Sequence, residues 1–369
     1  MKYDLAIIGG GISGLSAAIL CAKQGWKVAV FEKDTYPKHK VCGEYISNES
    51  REFLTKLGLP IEEMNLPSIN KFLLTTHYGT SSSCTLETGG FGLSRYAFDQ
   101  LLAKEAQQLG VFLFQNTRIK SIDGKAETGF NITDTKGESY HSKLVVGAWG
   151  RSNALDHSKP IANTEAWVGI KYHVEKGPDT DTIEIHAFED GYCGISEVED
   201  GNFCLCYLAK AKGLKAFKGD IEAFEKAVLA KNPFLKERLA STKIVGPITT
   251  SQFYFGVNQQ KPPFPYLGDA SGFIPPLTGN GMSLALRSSK ALAPNINAFL
   301  KGEITYDSLL QSQATYTSNY LKRRVNRGIL LQNLLFLKPA FLNKWMMHAF
   351  AISPFALRIM TRLAVGKKL

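Results

Sequence analysis

The sequence predicts an α/β fold with an inserted antiparallel β-sheet and a helical C-terminal region, on three observations. The first 32 residues read strand, glycine turn, helix, strand. Between Trp167 and Ala209 one strand follows another across short turns. From residue 301 onward the chain is apolar and helical in pattern, with breaks at Pro339 and Pro354.

The opening unit carries the first chemistry. Asp4–Ile8 is a short apolar run with β-branched residues and reads as a strand. Gly9-Gly10-Gly11-Ile12-Ser13-Gly14 follows at once, Leu15–Gln24 reads as a helix stopped by Gly25, and Val28–Phe31 is a second strand ending on Glu32. Gly9 permits the tight turn, Gly11 lets a pyrophosphate approach the backbone, and Gly14 lets the helix lie close on the sheet. The free N–H groups at the helix start, with the dipole behind them, favour a diphosphate. Glu32, 18 residues after Gly14, can accept from ribose hydroxyls and would repel a 2′-phosphate. A Rossmann-like GxGxxG unit that suits FAD or NAD better than NADP is the reading.

The remaining elements follow in order. Lys33–Ser47 is polar and reads as a loop over the cofactor, and Asn48–Leu57 as a helix stopped by Gly58. Lys71–Thr76 and Ser83–Leu86 read as strands, and Gly89–Ser94 as a turn in which Ser94 caps a helix over Arg95–Leu109. Val111–Phe114, Arg118–Ile122, Gly129–Thr133 and Ser139–His141 suggest a small meander, and Lys143–Gly147 a further buried strand. Val168–Val174, Thr182–Phe188, Gly191–Glu197 and Asn202–Leu208 form the antiparallel sheet. Asp220–Ala230 reads as helix and Ile244–Phe255 as strand. Pro265–Gly272 ends a strand on a glycine turn, and Pro275–Gly281 leads into a helix from Met282 to about Phe299.

An apolar content of 44% and a charged content of 21% describe a globular chain. The N-terminus runs straight into a strand, so no signal peptide is expected, and no uncharged apolar run reaches the ~18 residues a membrane span needs. The six cysteines show no Cys-x-x-Cys pair and no metal spacing with histidine. They read as reduced thiols of a cytoplasmic protein, and Cys204 and Cys206 as packing on one strand face. No metal site is expected.

The net charge of +10 is unevenly placed. Residues 321–369 hold ten Lys/Arg and no acidic residue, which leaves 33 basic and 33 acidic residues in the first 320.

Four stretches fall into one order: the glycine turn, Gly92-x-Ser94-Arg95-x-x-Phe98-Asp99, Gly147-Ala148-x-Gly150, and Gly268-Asp269-Ala270-x-Gly272 with the proline–glycine run behind it. Together they resemble the flavoprotein superfamily of the p-hydroxybenzoate hydroxylases and the geranylgeranyl reductases. Pro37-x-x-Lys40-x-Cys42-Gly43-Glu44 is most similar to the geranylgeranyl reductase branch.

The resemblance, over about residues 1–300, implies FAD. It places Asp269 on a ribityl hydroxyl and Gly268 beside it. It puts the helix start with Gly279, Asn280, Gly281 and Met282 against the pyrimidine edge of the isoalloxazine, where a helix N-terminus stabilises negative charge. Arg95 would approach the phosphates or the ribityl chain. Ser13, Lys33, Cys42 and Gly43 complete the expected cofactor contacts, with Trp149 at the third motif. Hydroxylases of this superfamily usually carry an Asp in the Trp149 position; tryptophan cannot accept a hydrogen bond there. NADPH or NADH as a transient electron donor would need another docking mode, and a partner protein is the other source.

Implied boundaries are 1–70, 90–165 and 256–300 for a discontinuous FAD-binding domain, 71–89 and 166–255 for a substrate-binding sheet domain, and 301–369 for a basic helical region.

The candidate catalytic residues are Cys42, as a proton source or pocket wall, and Tyr192 in Gly191-Tyr192-Cys193-Gly194, which faces substrate or packs in the sheet core. Glu44 is read as an exposed loop acid in preference to a proton relay. The paired-Trp run of flavin-dependent halogenases is absent, which sets halogenation aside.

The leading expectation is hydride reduction of carbon–carbon double bonds in a hydrophobic, lipid-like substrate. A monooxygenase acting on an aromatic or polyketide lipid, and a non-catalytic flavin-binding redox sensor, are the alternatives. The basic tail suits an anionic membrane surface, a lid on a greasy pocket, or a packed terminal helix. Its apolar load argues against nucleic acid. A monomer or weak oligomer is expected.

Overall fold

The computed structural model describes residues 2–150, 155, 165–257, 263–273, 281–335, 344–345, 353–364 and 369. Two sheets organise them. The first has the order β6-β2-β1-β9-β8-β7, from β1 (Lys2–Ile8), β2 (Val28–Phe31), β6 (Phe112–Phe114), β7 (Ile119–Lys125), β8 (Gly129–Asp134) and β9 (Ser139–Gly147). Its β6-β2-β1-β9 half is parallel and its β9-β8-β7 half antiparallel.

Register explains where the site lies. Ile8 pairs with both Phe31 and Gly147, so β1, β2 and β9 end together. The glycine turn, Glu32 and Ala148-Trp149 therefore emerge at one edge, the carboxyl ends of parallel strands where ligands bind in such sheets. A parallel bridge from Gly147 to Tyr266 brings Gly268 and Asp269 to the same edge.

Helix α1 (Ile12–Ala22) buries Leu15, Ala17, Ala18 and Ile19 under the sheet and has no β-branched run to resist helix formation. The chain leaves it through Gly25 at φ +87°. It packs on α3 (Arg95–Gln108) and α7 (Gly281–Leu300). As expected, Ser94 caps α3, its Oγ accepting from Ala97 N.

The second sheet has the order β14-β10-β13-β12-β11-β4-β5-β3, from β3 (Tyr45–Ser47), β4 (Ser68–Thr76), β5 (Ser81–Gly92), β10 (Trp167–Val174), β11 (Thr182–Phe188), β12 (Gly191–Glu197), β13 (Phe203–Lys210) and β14 (Ile244–Phe253). Its pairs are antiparallel except β11 with β4, which run parallel.

Several sequence readings are corrected. Gly89–Gly92 is the end of β5 and not a turn; a Cβ on Gly90 would meet Ile46 O at 2.5 Å and one on Gly92 would meet Glu197 O at 1.8 Å, so these glycines admit neighbouring backbone. Residues 112–114 are a parallel edge strand beside β2 and not part of a meander. The two runs 139–141 and 143–147 are one strand, β9. Strands β4 and β5 run across the expected boundaries at 70/71 and 89/90.

The sequence reading also missed helices α4 (Ala211–Ala216) and α6 (Pro233–Ser241). Asn232 caps α6 by accepting from Phe234 N and Leu235 N, with Pro233 in the first turn. Helices α2 (Arg51–Leu57) and α5 (Ile221–Ala227) lie where expected. In the C-terminal region α8 (Tyr306–Tyr316), α9 (Lys322–Leu335) and α10 (Pro354–Ala364) are described, and α10 starts on the predicted proline. Among the described residues no helix is long and apolar enough to cross a membrane.

Candidate active site

A cavity of about 720 Å³ lies between the carboxyl edge of the first sheet and the inner face of the second. It has two differently lined parts. Gly9, Gly11, Glu32, Lys40, Trp149 and Asp269 line one; Phe72, Leu74, Ile185, Tyr192, Leu208 and Phe253 line the other. Strand alternation makes the second part apolar. Leu74 and Phe72 share one face of β4, and Ile183 and Ile185 one face of β11.

The glycine cradle is built as its spacing requires. Gly9 sits at φ +111°, and a Cβ there would meet Ala148 O at 2.4 Å. A Cβ on Gly14 would meet Gly9 O at 2.0 Å. Gly11, the N-cap of α1, is different: within 4 Å of its Cβ position lies only Lys40 Nζ, at 3.7 Å, among the described residues. The space over Gly11 is thus open to a diphosphate, with a cation beside it.

Glu32 is buried and fixed. Its Oε2 accepts from Gly10 N at 2.9 Å, while Oε1 accepts from Asp34 N at 3.0 Å and pairs with Lys38 Nζ at 2.5 Å. A carboxylate has about four lone-pair positions, so it can still accept from a ribose hydroxyl. This open cradle with a pinned acid fits FAD. Ser13, Lys33, Cys42, Gly43, Gly281 and Met282 also line the cavity, as expected. Lys33 in addition pairs with Asp34 at 2.8 Å. Gly14 and Gly268 lie behind the lining as packing positions. Gly268 is at φ +58°, with its N–H donated to Ser288 Oγ at 2.9 Å. Gly279 and Asn280 lie outside the described residues.

Arg95 reaches the cavity wall, but its guanidinium is engaged: Nε and a terminal nitrogen each hold an Asp99 oxygen at 2.8 Å. Asp99 is fully buried. Burial alone would raise its pKa, yet Arg95 and Lys40 hold it below the usual range. Asp99 and Lys40 are residues the sequence reading quoted without assigning to the site. Lys40 Nζ is 3.6 Å from Asp99, and burial depresses its ammonium pKa to about 8 despite that neighbour. Trp149 stands edge-on to Tyr266 and Phe264, with ring centroids 5.2 and 5.8 Å apart, and forms part of the wall.

Glu44 corrects an expectation. It is fully buried and not an exposed loop acid. Its Oε1 accepts from Arg95 N at 2.8 Å and pairs with Lys171 Nζ at 2.9 Å, while Oε2 lies 2.7 Å from His173 Nε2. Burial alone would raise its pKa; His173 and Lys171 bring it below the usual range. Lys171 and His173 lie more than 120 residues away in sequence, so no local signal reveals them.

Of the two candidate catalytic residues, Cys42 lines the cavity and its Sγ accepts from Glu44 N at 3.4 Å. Burial raises its pKa, which keeps the thiol neutral. Tyr192 also lines the cavity, and its hydroxyl is buried with no hydrogen-bond partner among the described residues. Burial pushes its pKa well above the phenol value. Cys204 and Cys206 share a face of β13 as expected, and Cys204 Sγ donates to Cys42 O at 3.3 Å.

Comparison with known proteins agrees with this geometry. The FAD binding domain family matches residues 2–185. Flavin-dependent halogenase ascD of Acremonium egyptiacum is 24% identical over 82% of this chain and 63% of its own length. Digeranylgeranylglycerophospholipid reductase of Sulfolobus acidocaldarius is 32% identical over 43% of this chain and 36% of its own. The solved flavin-dependent brominase Bmp2 shares the fold, with a TM-score of 0.80 at 18% identity over 99% of this chain and 93% of that one. Halogenases among the relatives return to consideration a reaction that the missing Trp pair had set aside. The open approach over Gly11 and the family match spanning that same unit lead to one conclusion: the chain belongs to the FAD-dependent oxidoreductase superfamily and is an enzyme that works with FAD.

Proposed function

We propose that this enzyme reduces carbon–carbon double bonds in a hydrophobic, lipid-like molecule. The observation that carries the reading is the apolar chamber continuous with the cofactor cleft, with Tyr192 among its lining residues. Among the described lining residues, Lys33, Lys40, Arg95 and Arg118 carry the fixed positive charge and belong to the cofactor half, while Phe72, Leu74, Ile185, Leu208 and Phe253 of the chamber are apolar. Bound and reduced, FAD supplies a hydride equivalent. The chain's residues hold the substrate's double bond out of water. The neutral Tyr192 O–H gives a proton to the carbon that does not receive the hydride, and its oxygen is then reprotonated from solvent. Cys42 is the second neutral donor in reach of the cleft. NADPH, NADH or a partner protein supplies the electrons. Trp149 presents no acceptor, which favours a docking mode other than the hydroxylase one.

Oxygen activation, leading to halogenation or hydroxylation, is the second reading, favoured by the halogenase relatives. One experiment separates them. Photoreduced holoenzyme is mixed anaerobically with polyprenyl lipids, and flavin absorbance and product mass are followed. Reoxidation with a product heavier by two hydrogens supports reduction. Reoxidation only by oxygen, with a product carrying a new halogen or oxygen atom, overturns it.

A further inference from the structure

We propose that the outer face of the C-terminal region is a docking surface for an anionic lipid bilayer. Among the described residues, the large apolar side chains more than half exposed are Leu330 at 59%, Trp345 at 73% and Phe355 at 72%. All three lie in the 49-residue segment that carries the whole net charge and no acidic residue. Exposed aromatic and aliphatic groups in a segment of net positive charge match a headgroup–acyl boundary.

Helix α10 shows how this surface meets the cavity. Leu357 is fully buried against Leu74, Ile185, Tyr192 and Phe253, and Thr361 lines the cavity, so one face covers the apolar chamber. Phe355 and Ile359, four residues apart, form the opposite, exposed stripe. Arg358 and Arg362 flank it. Both rest on Glu87, at 2.8 and 2.5 Å, so two guanidinium charges face a single carboxylate and one positive charge stays unopposed. A second copy of this chain would bring another uncompensated cationic patch against the first, and a nucleic acid would leave the Phe355–Ile359 stripe without a partner. An anionic bilayer satisfies both components and places the lipid phase against the helix that covers the chamber.

The test uses purified full-length holoenzyme and vesicles of phosphatidylcholine alone, or with roughly a third phosphatidylglycerol, in a sedimentation assay. Binding to the phosphatidylglycerol vesicles that weakens with salt is expected. The double variant Phe355→Ser/Ile359→Ser, and separately Trp345→Ser, should bind at least about tenfold more weakly with unchanged FAD content and Tm. Absence of binding to phosphatidylglycerol vesicles overturns the proposal, as does equal binding by the variants. A wild-type dimer that the double variant abolishes would assign the face to self-association and also overturn it. None of these readouts uses turnover, so the result is independent of the reaction proposed above.

Discussion

Lys171 Nζ lies 2.9 Å from Glu44 Oε1, and this fully buried pair ties the loop after β2 to β10, the strand beside the β14 edge of the second sheet. Removing one partner leaves an uncompensated charge in a dry site. Lys171→Met or Glu44→Gln alone should therefore cost about 3–5 kcal/mol, and the double replacement less than the sum. The two groups also set opposite pH limits. Glu44 has a lowered pKa, so its contribution is present above the unfolded carboxylate value and is lost as pH falls through the folded one. Lys171 has a raised pKa, so its contribution is present below the unfolded lysine value and is lost as pH rises past it. Urea melts across the acid limb should show that slope in the wild type and less of it in Glu44→Gln.

What sequence could and could not reveal follows from this pair. Gly9, Gly11, Gly14 and Glu32 are legible because a strand, a turn and a helix within 32 residues fix their relation locally. Glu44 is not. Its burial depends on Lys171 and His173, which the sequence-distant strand β10 supplies. Gly89–Gly92 misleads for a related reason. Glycine signals a turn in sequence, but here it answers close approach by Tyr45–Ile46 and by Glu197. The cover that α10 places on the chamber likewise rests on Leu357 meeting strands more than 100 residues earlier.

Lys40 makes FAD affinity depend on pH. Its pKa of about 8 in the FAD-free cleft should rise when a diphosphate arrives beside it. Binding then takes up a proton, and affinity should fall up to about tenfold per pH unit once pH exceeds 8. In the FAD-free protein the sign is reversed: above pH 8 the unfolded chain holds this proton more tightly, and stability rises toward the ordinary lysine value. Lys40→Met should abolish the pH slope and weaken FAD binding roughly 10- to 100-fold, the loss of one charge-assisted contact. Calorimetry in buffers of different protonation enthalpy checks the proton count; zero uptake near pH 9 removes Lys40 from the diphosphate site.

The glycines of the cradle should separate by phenotype. Gly11→Val adds atoms to the space open above the turn, so the FAD-free variant should keep the Tm of the FAD-free wild type, while the variant as purified should be colourless where the wild type is yellow. Gly14→Ala drives a Cβ to 2.0 Å from Gly9 O, so it should destabilise the protein before FAD is considered, by about 1–3 kcal/mol. Thermal melts of both FAD-free variants make the comparison, and equal losses of stability would mean that Gly11 is a packing glycine.

Tyr192 gives the sharpest division between structure and chemistry. Its hydroxyl is buried without a partner, so the folded state carries an unmet polar group of about 1–3 kcal/mol. Tyr192→Phe removes that atom and keeps the ring among Leu74, Ile185 and Leu208. Stability should therefore hold or rise by about 1 kcal/mol. A tyrosine that only fills the core would show that gain and unchanged turnover. As the proton donor to a carbon centre it should instead cost about 10²- to 10⁴-fold in the rate of flavin reoxidation by substrate, with FAD content unchanged. Stopped-flow reoxidation of the two proteins at matched flavin occupancy decides between them. A variant that is more stable and equally fast would leave Cys42 as the donor to replace next.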